Sequence, residues 1–183
     1  MSMFANRLEA AECLAERLAA YRGTHPLILA VPRGGVPMGE VLADRLDGEM
    51  DVVLVRKLGA PGNPEYAIGA VDETGHHELT PEAQVLSLSP AYIKAEVAAQ
   101  QDVLRRRRGS YTPVRAPIAA EGRVVIVVDD GVATGATLLA ALRSVRRSKP
   151  ERVIAAVGVA PSDSEVSDAQ VVDILRRHPG ERV

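Results

Sequence analysis

The sequence predicts an α/β protein with a mostly parallel sheet flanked by helices. Short apolar runs of strand length alternate with amphipathic segments of helical spacing, and Gly- and Pro-rich turns separate them. Strands joined through helices in this way lie parallel in one sheet. We expect a single domain over residues 1–183, with a loop and hairpin insertion at about 56–80 that forms a small hood.

The first part of the chain contains one strand–helix–strand unit. Apolar residues at helical spacing predict a first helix that ends near residues 22–23. The run at 27–31 predicts a buried strand, 38–46 a helix and 52–55 a second strand. Gly and Pro then predict a loop, which continues into a hairpin around Glu73-Thr74-Gly75.

The second part of the chain continues the alternation. The predicted elements are a long helix from Ser89-Pro90 to about 108, a strand at 123–128, a helix at 137–147, a strand at 153–159 and a short helix at about 167–178. The basic run 105–108 is typical of a solvated helix end, although contact with a polyanion or a subunit remains an alternative.

Charge and cysteine content exclude several classes of function. Lys and Arg number 22 against 24 Asp and Glu, so the net charge of −2 produces no overall field that attracts nucleic acid or an anionic membrane. The one cysteine, Cys13, excludes an internal disulfide, and His76-His77 lack the Cys or spaced acids of a metal site. No apolar stretch approaches the roughly 18 residues that span a bilayer. We expect a cytoplasmic protein without nucleic-acid or membrane partners.

The segment 124–137, VVIVVDDGVATGAT, carries the strongest functional signal. Its apolar half predicts a buried strand, whose carboxyl end places Asp129 and Asp130 where α/β proteins bind ligands. The turn 131–137 has only small side chains, so its backbone N–H groups can surround an anion at the start of the next helix. Thr134 and Thr137 add hydroxyl donors.

Two carboxylates beside an anion site predict a ligand that carries more than a phosphate. A sugar phosphate fits, because its hydroxyls, or an accompanying magnesium ion, can face Asp129 and Asp130 while the phosphate binds the turn. The GK[ST] of a Walker A loop and the GxGxxG of a dinucleotide loop are both absent. A receiver-like phosphoacceptor domain stays open as another interpretation, although its acidic strand end is not expected to precede such a small-residue turn.

The same segment resembles the phosphoribosyl pyrophosphate (PRPP) motif of type I phosphoribosyltransferases. PRGG at 32–35 is similar to the loop that those enzymes use for pyrophosphate, a loop that often contains a non-proline cis peptide. VRKLGAPGNPEYAIGAV at 55–71 resembles family members of unassigned acceptor substrate, and the likeness covers about residues 4–160. The resemblance implies a phosphoribosyltransferase-like fold.

The resemblance also implies a role for each position of these motifs. Asp129 and Asp130 would hold the ribose hydroxyls, and Arg33, Gly34 and Gly35 the pyrophosphate. Lys57 would join Arg33 in stabilising the leaving group, and the loop near 59–66 would close over the site. The positions implied for the 5-phosphate are Gly131, Val132, Ala133, Thr134, Gly135, Ala136 and Thr137.

The implied reaction is displacement of pyrophosphate from PRPP by a nitrogenous base or a related acceptor. Mg²⁺ is the implied cofactor, bound through PRPP and with Asp129 and Asp130 as candidate ligands, not in a separate protein site. PRPP and a small-molecule acceptor are the implied partners, and a homodimer is left open. The alternative is a non-catalytic regulatory protein of the same fold that senses PRPP or a nucleotide.

The two hypotheses differ in the features that favour them. After Ala160-Pro161 the relatives continue through structure that shapes the acceptor pocket, whereas here 162–165 leads almost directly to a segment like their terminal helix. That difference favours the sensor and leaves no residue assigned to base recognition. Arg33, Gly34 and the Arg56-Lys57 pair favour the enzyme, because a protein that binds only a 5-phosphate has no need of a pyrophosphate loop.

Overall fold

The computed structural model describes residues 4, 6–114, 116–131 and 136–158. The helices in these residues are α1 (Arg7–Arg17), α2 (Gly35–Leu46), α3 (Pro81–Val85), α4 (Pro90–Tyr111) and α5 (Ala136–Arg147). The strands are β1 (Leu27–Ala30), β2 (Glu49–Val52), β3 (Val55–Ala60), β4 (Asn63–Asp72), β5 (His77–Leu79), β6 (Val124–Asp129) and β7 (Arg152–Val157). The predicted α/β class is confirmed.

Four strands form a parallel sheet in the order β2-β1-β6-β7. Leu27 of β1 pairs with Glu49 on one side and with Val125 on the other, which places β1 and β6 side by side at the centre. Every residue of β1 and of β6 is buried. The apolar runs are therefore continuous because helices cover both faces of the sheet.

The two faces of this sheet have separate apolar cores. On one face α1 and α2 pack with Ile28, Ile126 and Val128 through residues such as Ala10 and Met38. On the other face α5 packs Leu138, Ala141 and Val145 against the alternate residues of β1 and β6. The layered packing leaves the carboxyl ends of β1 and β6 as the place where loops from both sides meet.

Strands β3, β4 and β5 form a second, antiparallel sheet. The predicted hairpin around Glu73-Thr74-Gly75 is correct, since β4 pairs with β5 across that turn. The loop predicted for the first part of the 56–80 insertion is wrong, because β3 pairs with β4 there. Register shifts near Gly59 leave residues 64–66 without Cα partners in β3, so Pro64 lies where a ladder hydrogen bond is not required.

Several predicted boundaries move by one to three residues. The strand expected at 52–55 is β2 at Glu49–Val52, because the left-handed Asp47 ends α2 and Glu49 N–H already donates to the Pro26 carbonyl. The strands expected at 123–128 and 153–159 are β6 and β7, and the helix expected at 137–147 is α5. The helix predicted at 167–178 lies outside the described residues.

The basic run 105–108 divides into exposed and buried members. Arg105 is exposed, as expected for a solvated helix end. Arg108 is only 14% exposed: it donates twice to Glu73, once to Asp51 and once to the Val52 carbonyl. The expectation of a uniformly solvated run is therefore wrong at Arg108, which joins α4 to the parallel sheet and to the hairpin turn.

Among the described residues, no helix combines the length and the apolarity that crossing a lipid bilayer requires.

Candidate functional site

The carboxyl ends of β1 and β6 bring two sequence motifs together. Ala30 of β1 is in register with Val128 of β6, and Val31 N–H donates to the Val128 carbonyl at 2.8 Å. The PRGG loop that follows β1 therefore lies beside the acids that follow β6. The PRGG motif and the acid pair, which are about 100 residues apart in the chain, therefore lie next to each other in the fold.

Gly34 and Gly35 are the residues that allow this approach. A Cβ on Gly35 would lie 2.6 Å from the Val128 carbonyl oxygen, and one on Gly34 would lie 2.1 Å from Asp130 Oδ2. A side chain at Gly35 would meet the backbone of β6, and one at Gly34 would meet the Asp130 carboxylate. The close approach expected of these glycines is thus made to the end of β6, and their predicted role toward pyrophosphate stays a prediction.

Arg33 is exposed at the tip of this loop. The Pro32–Arg33 peptide bond is cis, as the family resemblance implied for the loop. Gly35 N–H donates to the Val31 carbonyl, and Gly35 is the first residue of α2. A guanidinium and the positive end of the α2 dipole therefore lie at the same edge of the sheet as the acids.

Asp129 is the buried member of the acid pair, with 8% of its surface exposed. One of its carboxylate oxygens accepts a hydrogen bond from the Asp130 backbone N–H at 2.9 Å. Burial, followed by the negative charge of Asp130, raises the pKa of Asp129 from 3.8 to about 6. Asp129 is therefore half-ionised near pH 6, and above that pH its carboxylate acts only as a hydrogen-bond acceptor.

Asp130 lies further out and is paired with a residue that sequence reasoning missed. Arg7 Nε donates to Asp130 Oδ2 at 2.8 Å. Arg7 belongs to α1, 123 residues earlier in the chain, so no local spacing could indicate the contact. The only signal in the sequence was the amphipathic helix itself, which places α1 on the sheet without showing which of its polar residues faces the acids.

The remaining predicted residues lie in different parts of the structure. Gly131 is exposed and directly follows the acids, and Thr137 is partly buried in the first turn of α5. Lys57 is exposed on β3, in the second sheet and across from Ala70, so the structure does not join it to the acid pair. Ala136 begins α5. Four predicted positions lie outside the described residues: Val132, Ala133, Thr134 and Gly135.

A separate cavity of about 440 Å³ lies between the second sheet and α5. Leu79 and Leu139 supply part of its apolar wall, and Glu78 and Arg143 line its polar side. Asp129, Asp130 and Arg33 are not among its lining residues. The cavity is therefore distinct from the site at the ends of β1 and β6.

Comparison with known proteins agrees with this geometry. Residues 4–179 match the phosphoribosyl transferase domain family. Two Mycobacterium tuberculosis proteins, provisionally named phosphoribosyl transferases, are 38% identical over 164 residues, which cover 89% of this chain and 37% of theirs. A crystal structure from Thermus thermophilus superposes with a TM-score of 0.79 at 40% identity, covering 97% of this chain and 99% of that one.

The chain therefore belongs to the type I phosphoribosyltransferase family, as the motifs implied. It spans little more than a third of the length of the curated relatives that it matches.

Proposed function

We propose that the chain binds PRPP with Mg²⁺ and transfers its phosphoribosyl group to a nitrogenous base or a related acceptor, with release of pyrophosphate. The observation that carries the proposal is the pair Asp129–Asp130 at the end of β6, directly against the PRGG loop. We assign each chemical part of PRPP to a group in one of these two motifs.

The pentose is matched by the acid pair. An ionised carboxylate can only accept hydrogen bonds, and the vicinal ribose hydroxyls are donors of suitable spacing for two adjacent acids. The 5-phosphate is assigned to the segment 131–137, part of which lies outside the described residues and which leads into the amino terminus of the 12-residue helix α5. The N–H groups and dipole of a helix amino terminus favour an anion there.

The pyrophosphate is matched by the loop that follows β1. Arg33 is exposed and permanently charged, so its guanidinium can take phosphate oxygens bidentately. In the displacement, negative charge grows on the departing pyrophosphate, and a fixed cation beside it stabilises the transition state. We retain Lys57 as a second cation for the leaving pyrophosphate. Because it is exposed on β3, in the second sheet, its side chain would have to reach the pyrophosphate from there.

Mg²⁺ fits the donor set of this site. The acid pair offers carboxylate oxygens, the ligands that Mg²⁺ prefers, and the ion commonly combines one or two of these with substrate phosphates. Asp129 and Asp130 would hold it together with oxygens of PRPP, and it would neutralise charge on the leaving group. Asp129, whose pKa is about 6, is ionised for this purpose at neutral pH.

Calorimetry tests the binding step. PRPP with Mg²⁺ should bind more tightly than ribose 5-phosphate, and turnover should appear as pyrophosphate release with at least one member of a panel of purines, pyrimidines and related amines. Tight PRPP binding without turnover across the panel favours the non-catalytic sensor. Failure to bind PRPP would refute both the transferase and the sensor.

The acid pair is tested by Asp129→Asn combined with Asp130→Asn. Loss of two charge-assisted hydrogen bonds should weaken PRPP binding by about 100-fold, while inorganic phosphate binds nearly as before. Asp47→Asn is the matched control, because Asp47 is an exposed acid at the opposite end of α2, about 18 Å along the helix from the site. Equal weakening of PRPP and phosphate would contradict the assignment.

A further inference from the structure

An ion pair joins the first helix to the outer acid of the proposed PRPP site. Arg7 Nε lies 2.8 Å from Asp130 Oδ2, and the two side chains are 13% and 25% exposed. The Arg45–Glu12 pair has the same distance, but its side chains are 57% and 45% exposed. Solvent screens an exposed pair more strongly than a sheltered one, so the Arg7–Asp130 contact is the stronger of the two.

Asp130 is held from two sides. Its carboxylate occupies the space that a side chain on Gly34 would fill, since all three atoms of the group lie within 2.4 Å of the Cβ position there. Arg7 of α1 then donates to one of the two carboxylate oxygens. With one oxygen held and the backbone of Gly34 behind it, the carboxylate has a defined orientation toward the ligand side.

Helix α1, which carries Arg7, is capped at its start and packed into the core. The Asn6 side chain caps the helix by accepting from Glu9 N–H at 3.0 Å. Ala10, Ala11 and Ala15 are buried in the core that α1 shares with α2. Because the helix that carries Arg7 packs on the helix that follows the PRGG loop, the two contacts on Asp130 belong to one packed layer.

The charge of Arg7 also reduces electrostatic repulsion at the acid pair. Two adjacent carboxylates repel each other, and they repel the phosphates of PRPP. A guanidinium on Asp130 offsets part of that repulsion and leaves the second carboxylate oxygen able to accept a hydrogen bond. Arg33, in the loop that follows β1, is a second described cation near this edge of the sheet.

We propose that Arg7 is a positioning residue of the PRPP site, which orients and partly neutralises Asp130 for the ribose hydroxyls. It acts through Asp130 and does not contact the ligand. This inference rests on the proposed function, since it concerns the same ligand.

A double-mutant cycle measured by calorimetry with PRPP and Mg²⁺ tests the inference. Arg7→Ala should weaken PRPP binding by about tenfold or more and leave inorganic phosphate binding unchanged. In the Asp130→Asn background the same substitution should change PRPP binding by less than about threefold, because the group through which it acts is already lost. Arg7→Gln repeats the measurement if the alanine variant does not fold, and Arg17→Ala, exposed on the same helix, should match the unaltered chain.

Each other result has a definite meaning. Unchanged PRPP binding in Arg7→Ala overturns the inference alone. A tenfold effect that persists in the Asp130→Asn background also overturns it, because Arg7 would then act on the ligand independently. Failure of the unaltered chain to bind PRPP overturns the proposed function and this inference together.

Discussion

Alanine at Gly35 should mainly reduce stability, whereas alanine at the adjacent Gly34 should mainly weaken PRPP binding. At Gly35 the new methyl group would lie 2.6 Å from the Val128 carbonyl oxygen and 3.3 Å from Asp129 Cα. Carbon and oxygen do not normally approach within about 3.3 Å. Because both neighbours are backbone of the central strand, the loop and β6 would have to separate by about 0.7 Å. We expect Gly35→Ala to lower the free energy of unfolding by about 2–3 kcal/mol, as overpacking of a core does.

At Gly34 the methyl group meets a side chain. It would lie 2.1 Å from Asp130 Oδ2, and the carboxylate can rotate away without moving the backbone. The rotation breaks the pair with Arg7, which should cost about 1 kcal/mol of stability. The effect on binding should be larger: displacing one of the two acids should weaken PRPP binding by roughly 10- to 100-fold.

Gly109→Ala is the control for both substitutions. Gly109 lies within α4, and an added Cβ there meets nothing within 4 Å. Alanine should therefore raise the free energy of unfolding by about 0.5–1 kcal/mol through helix propensity and leave PRPP binding unchanged.

Urea unfolding gives the stabilities of these variants, and calorimetry with PRPP and Mg²⁺ gives the affinities. Wild-type affinity in Gly34→Ala would refute the reasoning, because it would show that the position of Asp130 is immaterial. A greater loss of stability in Gly34→Ala than in Gly35→Ala would refute it equally.

Two further predictions concern buried charges. The pKa of Asp129 is raised from 3.8 to about 6. Between about pH 4 and 6 the folded chain therefore keeps a proton on this carboxyl that the unfolded chain releases. As a result, the contribution of Asp129 to the free energy of unfolding falls as pH rises through this range. Asp129→Asn should flatten that part of the pH dependence in urea unfolding, and an unchanged slope would contradict the burial. Arg108→Ala leaves Glu73 and the buried Asp51 without this partner and should cost about 3 kcal/mol in the same assay, against less than about 1 kcal/mol for the exposed Arg105→Ala. Equal losses would show that the Arg108 contacts contribute little.

The strands of the parallel sheet, most of the helices and the main site motif were readable from the sequence. Buried parallel strands are continuously apolar, and helices show a period near 3.6, so both leave local patterns. The acids at the end of 124–129 were equally visible, because polar residues that directly follow a buried strand must emerge at its carboxyl end. The pairing of β3 with the first part of β4 was not visible, because its Gly and Pro residues resemble a loop until the partner strand and the bulge are known.

The sequence by itself determined the fold class, the family and the position of the acid pair, since each depends on residues close together in the chain. Tertiary structure alone decided that Arg7 reaches Asp130, that the two glycines of the PRGG loop face the end of β6, and that Arg108 is buried between Glu73 and Asp51. These contacts join residues from 35 to 123 positions apart. Packing brings such residues together, and their separation leaves no periodic or spacing signal in the chain.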